Sequence, residues 1–106
     1  MRFKRYDVFL AGPIAGVEDY RERFDRMERD VLRFHGSKLR VWNPARLPGG
    51  RSNRWYMARC LIALWRSRRV LALPGYQDSG GARIEIALAN YAGIPVVYSW
   101  EKAGGA

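Results

Sequence analysis

The sequence has very few of the side chains that build disulfides or metal centres. It contains one cysteine, Cys60, and one histidine, His35. A single thiol excludes an internal disulfide, and the pair together excludes a zinc site made of Cys and His clusters. No apolar run approaches the roughly 20 residues that a membrane-spanning helix needs. We therefore expect no metal, no other cofactor and no membrane association.

Acidic residues are scarce as well. Nineteen Lys and Arg face 10 Asp and Glu, which gives a net charge of +9. A basic chain attracts phosphates and nucleic acids. The segment 51–69 contains no acid, and its basic residues form either a solvated face or an anion-binding one; they are Arg51, Arg54, Arg59, Arg66, Arg68 and Arg69. Nucleic acid ranks lowest among the expected partners, because no recognised nucleic-acid motif is present.

The amino terminus loosely imitates a signal peptide, with a basic stretch followed by an apolar one. Asp7 precedes the apolar run, however, and Gly12-Pro13 interrupts it, so that it is more typical of a buried strand. We expect a cytoplasmic protein. With 106 residues, 48% of them hydrophobic, the chain suits a single domain over residues 1–100, followed by a flexible tail at 101–106.

Strand and helix patterns alternate along the whole chain. Short apolar runs predict strands at 6–11, 39–42, 70–73 and 95–98. Apolar positions at helical spacing predict helices at 17–34 and 53–67, and a third between a Ser79 cap and Gly93. Phe34 and Trp65 belong to the predicted core stripes of the first two helices. This order predicts a small, flavodoxin-like, three-layer α/β sandwich with a four- to five-stranded parallel sheet and helices on both faces.

In such a sheet, ligands bind beyond the carboxyl ends of the strands, at the switch point in strand order. That rule predicts that three loops come together, at residues 12–16, 44–53 and 75–81. Ser79, Gly80 and Gly81 begin the third helix, where free backbone N–H groups favour an anion. A plain helix cap is the commoner explanation of these residues. Asp78 lies in the same loop, within reach of a ligand.

Glu85 is the most unusual acid in the sequence. On a helical wheel its neighbours are small or apolar: Gly81, Ala82, Leu88, Ala89 and Ala92. A buried carboxylate without a partner is costly. Either Glu85 pairs with an arginine such as Arg83, or it stands beside a cavity as a nucleophile or base. The pattern alone favours the structural explanation slightly.

Three segments together resemble the nucleoside 2-deoxyribosyltransferase-like superfamily, and especially its short, phage- and prophage-associated branch. They are AGPIAG at 11–16, WNPA at 42–45 and LPGYQDSGGARIEIALANYAGIPVV at 73–97. The resemblance extends over nearly the whole chain. It implies a flavodoxin-like fold, a homo-oligomer of two or more chains, and cleavage or exchange of the N-glycosidic bond of a nucleoside or its 5′-monophosphate.

The resemblance also assigns roles to individual residues. Glu85 takes the place of the family's nucleophilic glutamate, and Ser79 that of a serine that contacts the 5′-phosphate. The turn formed by Gly12, Pro13, Ile14 and Gly16 also lies near the phosphate in the family, and we expect Gly80 and Gly81 to hold it with their N–H groups.

The chain departs from the family pattern at three positions. Phe9 stands where the family has a substrate-site tyrosine, and Cys60 where it has an aspartate that helps to protonate the leaving base. Arg69 replaces an acid found just before the third strand. Either Asp78 or a neighbouring subunit supplies the missing acid, or the protein binds a nucleotide without turning it over.

Overall fold

The computed structural model describes residues 4–14 and 16–98. Within them the chain alternates strands and helices. The strands are β1 (Val8–Ala11), β2 (Val41–Trp42), β3 (Val70–Ala72) and β4 (Val96–Tyr98). The α-helices are α1 (Tyr20–His35), α2 (Asn53–Trp65) and α3 (Gly80–Ala92). Two short 3-10 turns, Pro44–Arg46 and Tyr76–Asp78, follow β2 and β3.

The four described strands form one parallel sheet in the order β2-β1-β3-β4. Phe9 of β1 lies in register with Trp42 on one side and with Val70 on the other. The chain leaves β1 towards one edge of the sheet and later crosses to the other. The switch point therefore lies between β1 and β3, and a crevice is expected outside their carboxyl ends.

The side chains of β1 alternate between two cores. Val8 and Leu10 pack with Phe24 and other residues of α1, whereas Phe9 lies on the opposite face with residues of α2 and α3. Complete burial of a large side chain such as Phe9 or Phe24 contributes roughly 1.5–3 kcal/mol to folding. The predicted three-layer sandwich is confirmed, with α1 on one face and the other two helices on the second.

Several predicted boundaries were wrong by one to three residues. β1 begins at Val8 rather than at residue 6, because Tyr6 forms only an isolated bridge to Ser67. α1 begins at Tyr20 rather than at residue 17, because a turn in which the Val17 N–H donates to the Ile14 carbonyl precedes it. β2, β3 and β4 are shorter than predicted, because fewer residues find partners in the ladder.

The ends of the first two helices also differ from prediction. α2 ends at Trp65 rather than at residue 67, because the N–H groups of Arg66 and Ser67 bond three residues back and tighten the last turn. Phe34 and Trp65, both predicted in the core, are 68% and 48% exposed. The helices are longer than the two- to four-residue strands beneath them, so their last turns extend beyond the sheet.

No helix in the described part of the chain is both long and apolar enough to cross a bilayer. The predicted domain over residues 1–100 is seen as far as residue 98. The predicted tail, 101–106, lies outside the described residues.

Candidate functional site

The loops that follow β1 and β3 lie side by side at the switch point. A Cβ built on Gly75 would lie 3.5 Å from Pro13 Cγ. The Leu73 N–H donates to the Ala11 carbonyl at 2.7 Å, which continues the pairing beyond the ends of the strands. Two of the three loops that the sequence predicted to converge are therefore in contact.

Gly12 and Gly16 serve the first loop in different ways. A Cβ on Gly12 would lie 2.9 Å from Leu73 Cβ and 3.3 Å from Phe24 Cζ, so the buried Gly12 is required by close packing. Gly16 is exposed and has φ +79°, a conformation that favours glycine. Pro13 is half-buried and Ile14 exposed, so both line the outer surface of the loop.

The second loop leads into α3 through a serine cap. Ser79 Oγ accepts a hydrogen bond from the Ala82 N–H at 3.2 Å, and the hydroxyl proton stays available for donation. Gly80 and Gly81 occupy the first turn, where an α-helix offers their N–H groups no acceptor. Gly80 is exposed, with nothing within 4 Å of a built Cβ. This helix start has the geometry of an anion site.

Glu85 follows on the buried face of α3 and is only 8% exposed. Within residues 4–14 and 16–98 it forms no ion pair, so the predicted alternative of a pair with Arg83 is not found there. Burial raises the pKa of the Glu85 carboxyl from 4.5 to about 8, although a hydrogen bond with Cys60 opposes the shift. In the ligand-free protein at pH 7 the carboxyl is therefore mostly protonated.

Cys60 supplies the polar contact to Glu85 from the neighbouring helix α2. Burial, followed by the nearby Glu85 carboxylate, raises the pKa of the Cys60 thiol to about 12. A thiol with that pKa remains protonated at neutral pH, so Cys60 is a hydrogen-bond donor to Glu85 and a poor nucleophile. It is also the position at which the resemblance places an aspartate, and that position does contact the glutamate.

Trp42 closes this cluster from the end of β2. Its indole stacks on Phe9, with ring centroids 6.5 Å apart and planes 12° apart, and it meets Tyr6 edge-on at 5.4 Å. The indole N–H lies on the side of Cys60 and slightly favours its thiolate. It nevertheless reaches no acceptor with hydrogen-bonding geometry in the described part of the chain.

Two predicted site residues lie in contrasting environments. Phe9 has no exposed surface and packs against the ring of Trp42, so it supports the site from behind. Asp78 is exposed in the Tyr76–Asp78 turn, directly before Ser79. Neither residue has a hydrogen bond or ion pair with Glu85 among the described contacts.

A polar cluster below β2 was missed by the sequence analysis. Asn43 is buried, and its Nδ2 donates to Asp25 Oδ1 at 2.9 Å and to Glu28 Oε1 at 3.0 Å. Its Oδ1 accepts from the Ala45 N–H at 2.9 Å, and Glu28 also binds Arg46. The Asn-Pro pair that ends β2 was a signal for a capped turn, but the burial of Glu28 depends on how α1 packs.

The opposite edge of the sheet carries a separate charged group. Asp7 accepts from the Arg40 backbone N–H at 2.8 Å and pairs with the guanidinium groups of Arg40 and Arg68. These contacts hold the Asp7 pKa below its ordinary value, the backbone bond contributing most. A cleft of about 320 Å³ lies beside Asp7 and His35. It is at the amino ends of the strands, away from Glu85.

No three metal-ligating side chains come together within the described ranges. The arrangement at the carboxyl edge instead combines an anion site with a buried acid. A compact parallel α/β sandwich with these features defines the class of the protein as a small, flavodoxin-like domain with its site at the switch point.

A comparison with protein-family models places the chain in a family. The model named DUF4406, a domain of unknown function, matches residues 6–98. The chain therefore belongs to the DUF4406 family. Searches of curated proteins and of solved structures found no match.

Proposed function

We propose that this protein cleaves or exchanges the N-glycosidic bond of a nucleoside, or of its 5′-monophosphate, with Glu85 as the nucleophile. The observation that carries the proposal is the buried, ion-pair-free Glu85 on the helix whose capped start offers an anion site. Glu85 follows Gly80 by five positions, or roughly 8 Å along the helix axis. That separation is comparable with the span of a nucleotide from its 5′-phosphate to its sugar C1′.

In the proposed reaction the phosphate binds to the N–H groups of Gly80 and Gly81 and to the Ser79 hydroxyl. The Glu85 carboxylate attacks C1′, forming a C1′–O bond while the C1′–N bond breaks. The bond electrons leave with the base, which takes up a proton. Water, or a nitrogen of a second base, then attacks C1′ and regenerates the carboxylate, as in a retaining glycosidase.

The raised pKa of Glu85 gives this reaction a characteristic pH dependence. Only the carboxylate is a nucleophile, and with a pKa of about 8 most of the free protein holds it protonated at pH 7. We expect kcat/KM to rise about tenfold per pH unit below pH 8 and to level off above it. Phosphate bound at the helix start adds negative charge, which favours the protonated form in the complex.

A second function, nucleotide binding without turnover, is favoured by one specific observation. The polar contact of Glu85 is a thiol whose pKa is about 12, and such a group cannot protonate a leaving base at neutral pH. Under this alternative the protein retains the phosphate site and the pocket, but departure of the base is too slow to matter.

The first experiment incubates the protein with nucleosides and nucleoside 5′-monophosphates, with and without a free acceptor base, and measures released or exchanged base by chromatography. Glu85→Gln is the test variant, and Glu18→Gln, at an exposed position, is the matched control. We expect base release by the wild type and the control and none by Glu85→Gln. Equal release by Glu85→Gln would refute the nucleophile.

Intact-mass spectrometry adds a second measurement during turnover. A covalent intermediate adds the mass of the sugar, or sugar phosphate, to the wild-type chain and not to Glu85→Gln. Calorimetry with the same panel distinguishes the two functions. Nucleotide binding with no product after long incubation indicates the binding protein, and the absence of both binding and product contradicts both functions.

We also propose that the chain forms a homo-oligomer through the outer face of α2 and α3. Four large apolar side chains are exposed there: Ile62, Trp65, Ile84 and Tyr91. Tyr91 is 90% exposed. A cluster of apolar side chains on two adjacent helices is typical of a surface that is covered by another chain.

A further inference from the structure

The indole N–H of Trp42 is the one buried side-chain donor without a hydrogen-bond partner within residues 4–14 and 16–98. A buried donor left unpaired costs on the order of 1–3 kcal/mol. Such groups are rare in folded proteins, so each calls for an explanation. A redox or catalytic role, or a bound molecule, is the usual one.

The position of the donor is determined by packing. Phe9 lies flat against the indole and Tyr6 meets it edge-on, and the strand register holds Trp42 opposite Phe9. Turning the ring to find a partner would break both aromatic contacts. The N–H is therefore kept on the side of α2, where Cys60 lies.

Cys60 does not satisfy this donor. Sulfur is a weak acceptor, and the indole N–H falls short of hydrogen-bonding geometry with it. The thiol interacts instead with Glu85. Three polar groups, from β2, α2 and α3, thus converge in an otherwise apolar core, and only the indole N–H lacks a partner.

We propose that the Trp42 N–H donates a hydrogen bond to the leaving base, at the acceptor atom next to its glycosidic nitrogen. This atom is N3 of a purine or O2 of a pyrimidine. The inference rests on the proposed function, and it supplies what that function lacks, because negative charge develops on the departing base. An oriented donor stabilises this charge without giving up its proton. Since Nε1 is buried, the base reaches it only after neighbouring side chains move aside.

The test combines a substitution in the protein with a substitution in the ligand. Trp42→Phe keeps an aromatic ring against Phe9 and removes the N–H. The 3-deazapurine nucleotide lacks the acceptor, and the 7-deazapurine nucleotide is the matched control that retains it. Base release is measured for each of the four combinations of wild type or Trp42→Phe with the parent or the 3-deaza compound, and then with the control.

For the wild type we expect the parent and 7-deaza nucleotides to react at least tenfold faster than the 3-deaza nucleotide. In Trp42→Phe the parent should react about 10²–10³-fold more slowly, the loss typical of removing such a donor, and the preference over the 3-deaza nucleotide should shrink at least tenfold. Thermal unfolding of Trp42→Phe should show no loss of stability matching that effect. A wild-type enzyme that treats parent and 3-deaza alike refutes the inference even if the variant fails to fold.

The inference and the proposed function can fail separately. If base is released and Glu85→Gln is inactive, but the wild-type and Trp42→Phe preferences are equal, only the inference is wrong. If no base is released, the same four combinations are measured as dissociation constants by calorimetry. A preference that is lost in Trp42→Phe then supports the donor while the catalytic function is rejected, an equal preference refutes the donor, and no binding at all refutes both.

Discussion

The carboxyl group of Glu85 should weaken the fold at neutral pH, and its replacement by glutamine should reveal by how much. Burial raises the pKa of Glu85 from 4.5 to about 8. Between these values the folded chain binds a proton that the unfolded chain has released. Stability contributed by this group is therefore complete below pH 4.5 and is lost as the pH rises through about 8.

The size of the effect follows from the shift. Each pH unit within the window costs about 1.4 kcal/mol. At pH 7, which is 2.5 units above the unfolded pKa of 4.5, the loss is about 3 kcal/mol. Glutamine does not titrate, but its second amide hydrogen must be buried, which costs about 1 kcal/mol. We expect Glu85→Gln to be slightly less stable than the wild type at pH 5 and about 2 kcal/mol more stable at pH 7.

Urea unfolding at pH 5, 6, 7 and 8, followed by the fluorescence of the four tryptophans, measures this difference. Because only the difference between variant and wild type is compared, the contributions of other titrating groups cancel. Glu18→Gln, at an exposed position, is the control and should show no such trend. A difference that stays constant across this range, or a variant that loses stability with rising pH relative to the wild type, would show that Glu85 is charged in the folded state and would refute the reasoning.

Four further predictions concern other parts of the molecule. Cys60 should resist a thiol reagent at pH 8 until urea unfolds the chain, because its pKa is raised to about 12; labelling of the native protein within minutes would contradict its burial. Asp7→Asn should cost about 1 kcal/mol at pH 7 and should reduce the loss of stability as the pH falls, because the lowered pKa of Asp7 stabilises the fold only while the carboxylate is charged; identical urea midpoints at pH 3 and pH 7 differences would argue otherwise. Asn43→Ala should cost about 2–4 kcal/mol in urea unfolding, because it leaves Glu28 buried with fewer donors; a loss below 1 kcal/mol would mean that water replaces the amide. Light scattering should find a dimer or larger assembly for the wild type and a smaller species for Tyr91→Ser; a wild-type monomer would exclude the proposed oligomer.

The fold could be predicted from the sequence because its signals are local. Short apolar runs separated by amphipathic helices specify a parallel sheet covered on both faces, since only that arrangement buries both kinds of element. Ser79 and Gly93 bound α3 as expected, because a serine cap and a left-handed glycine are determined by the few residues around them.

The ends of the elements were less predictable. Whether Phe34 is buried depends on how far the sheet extends beneath α1, and no pattern within the helix carries that information. The burial of Glu28 has the same origin, because its partners Asn43 and Arg46 lie beyond the next strand. Local periodicity describes which residues share a face, not what lies opposite that face.

The sequence by itself determined the alternation of elements, the glycine-bounded loops at one edge of the sheet, and the presence of an acid on the apolar face of α3. Only the tertiary structure decided that Glu85 has Cys60 rather than an arginine as its contact, and that Trp42 places an unpaired N–H in the same cluster. The physical reason is that the pKa of a side chain and the satisfaction of its hydrogen bonds depend on groups brought close by packing, and these three residues come from separate elements that are far apart along the chain.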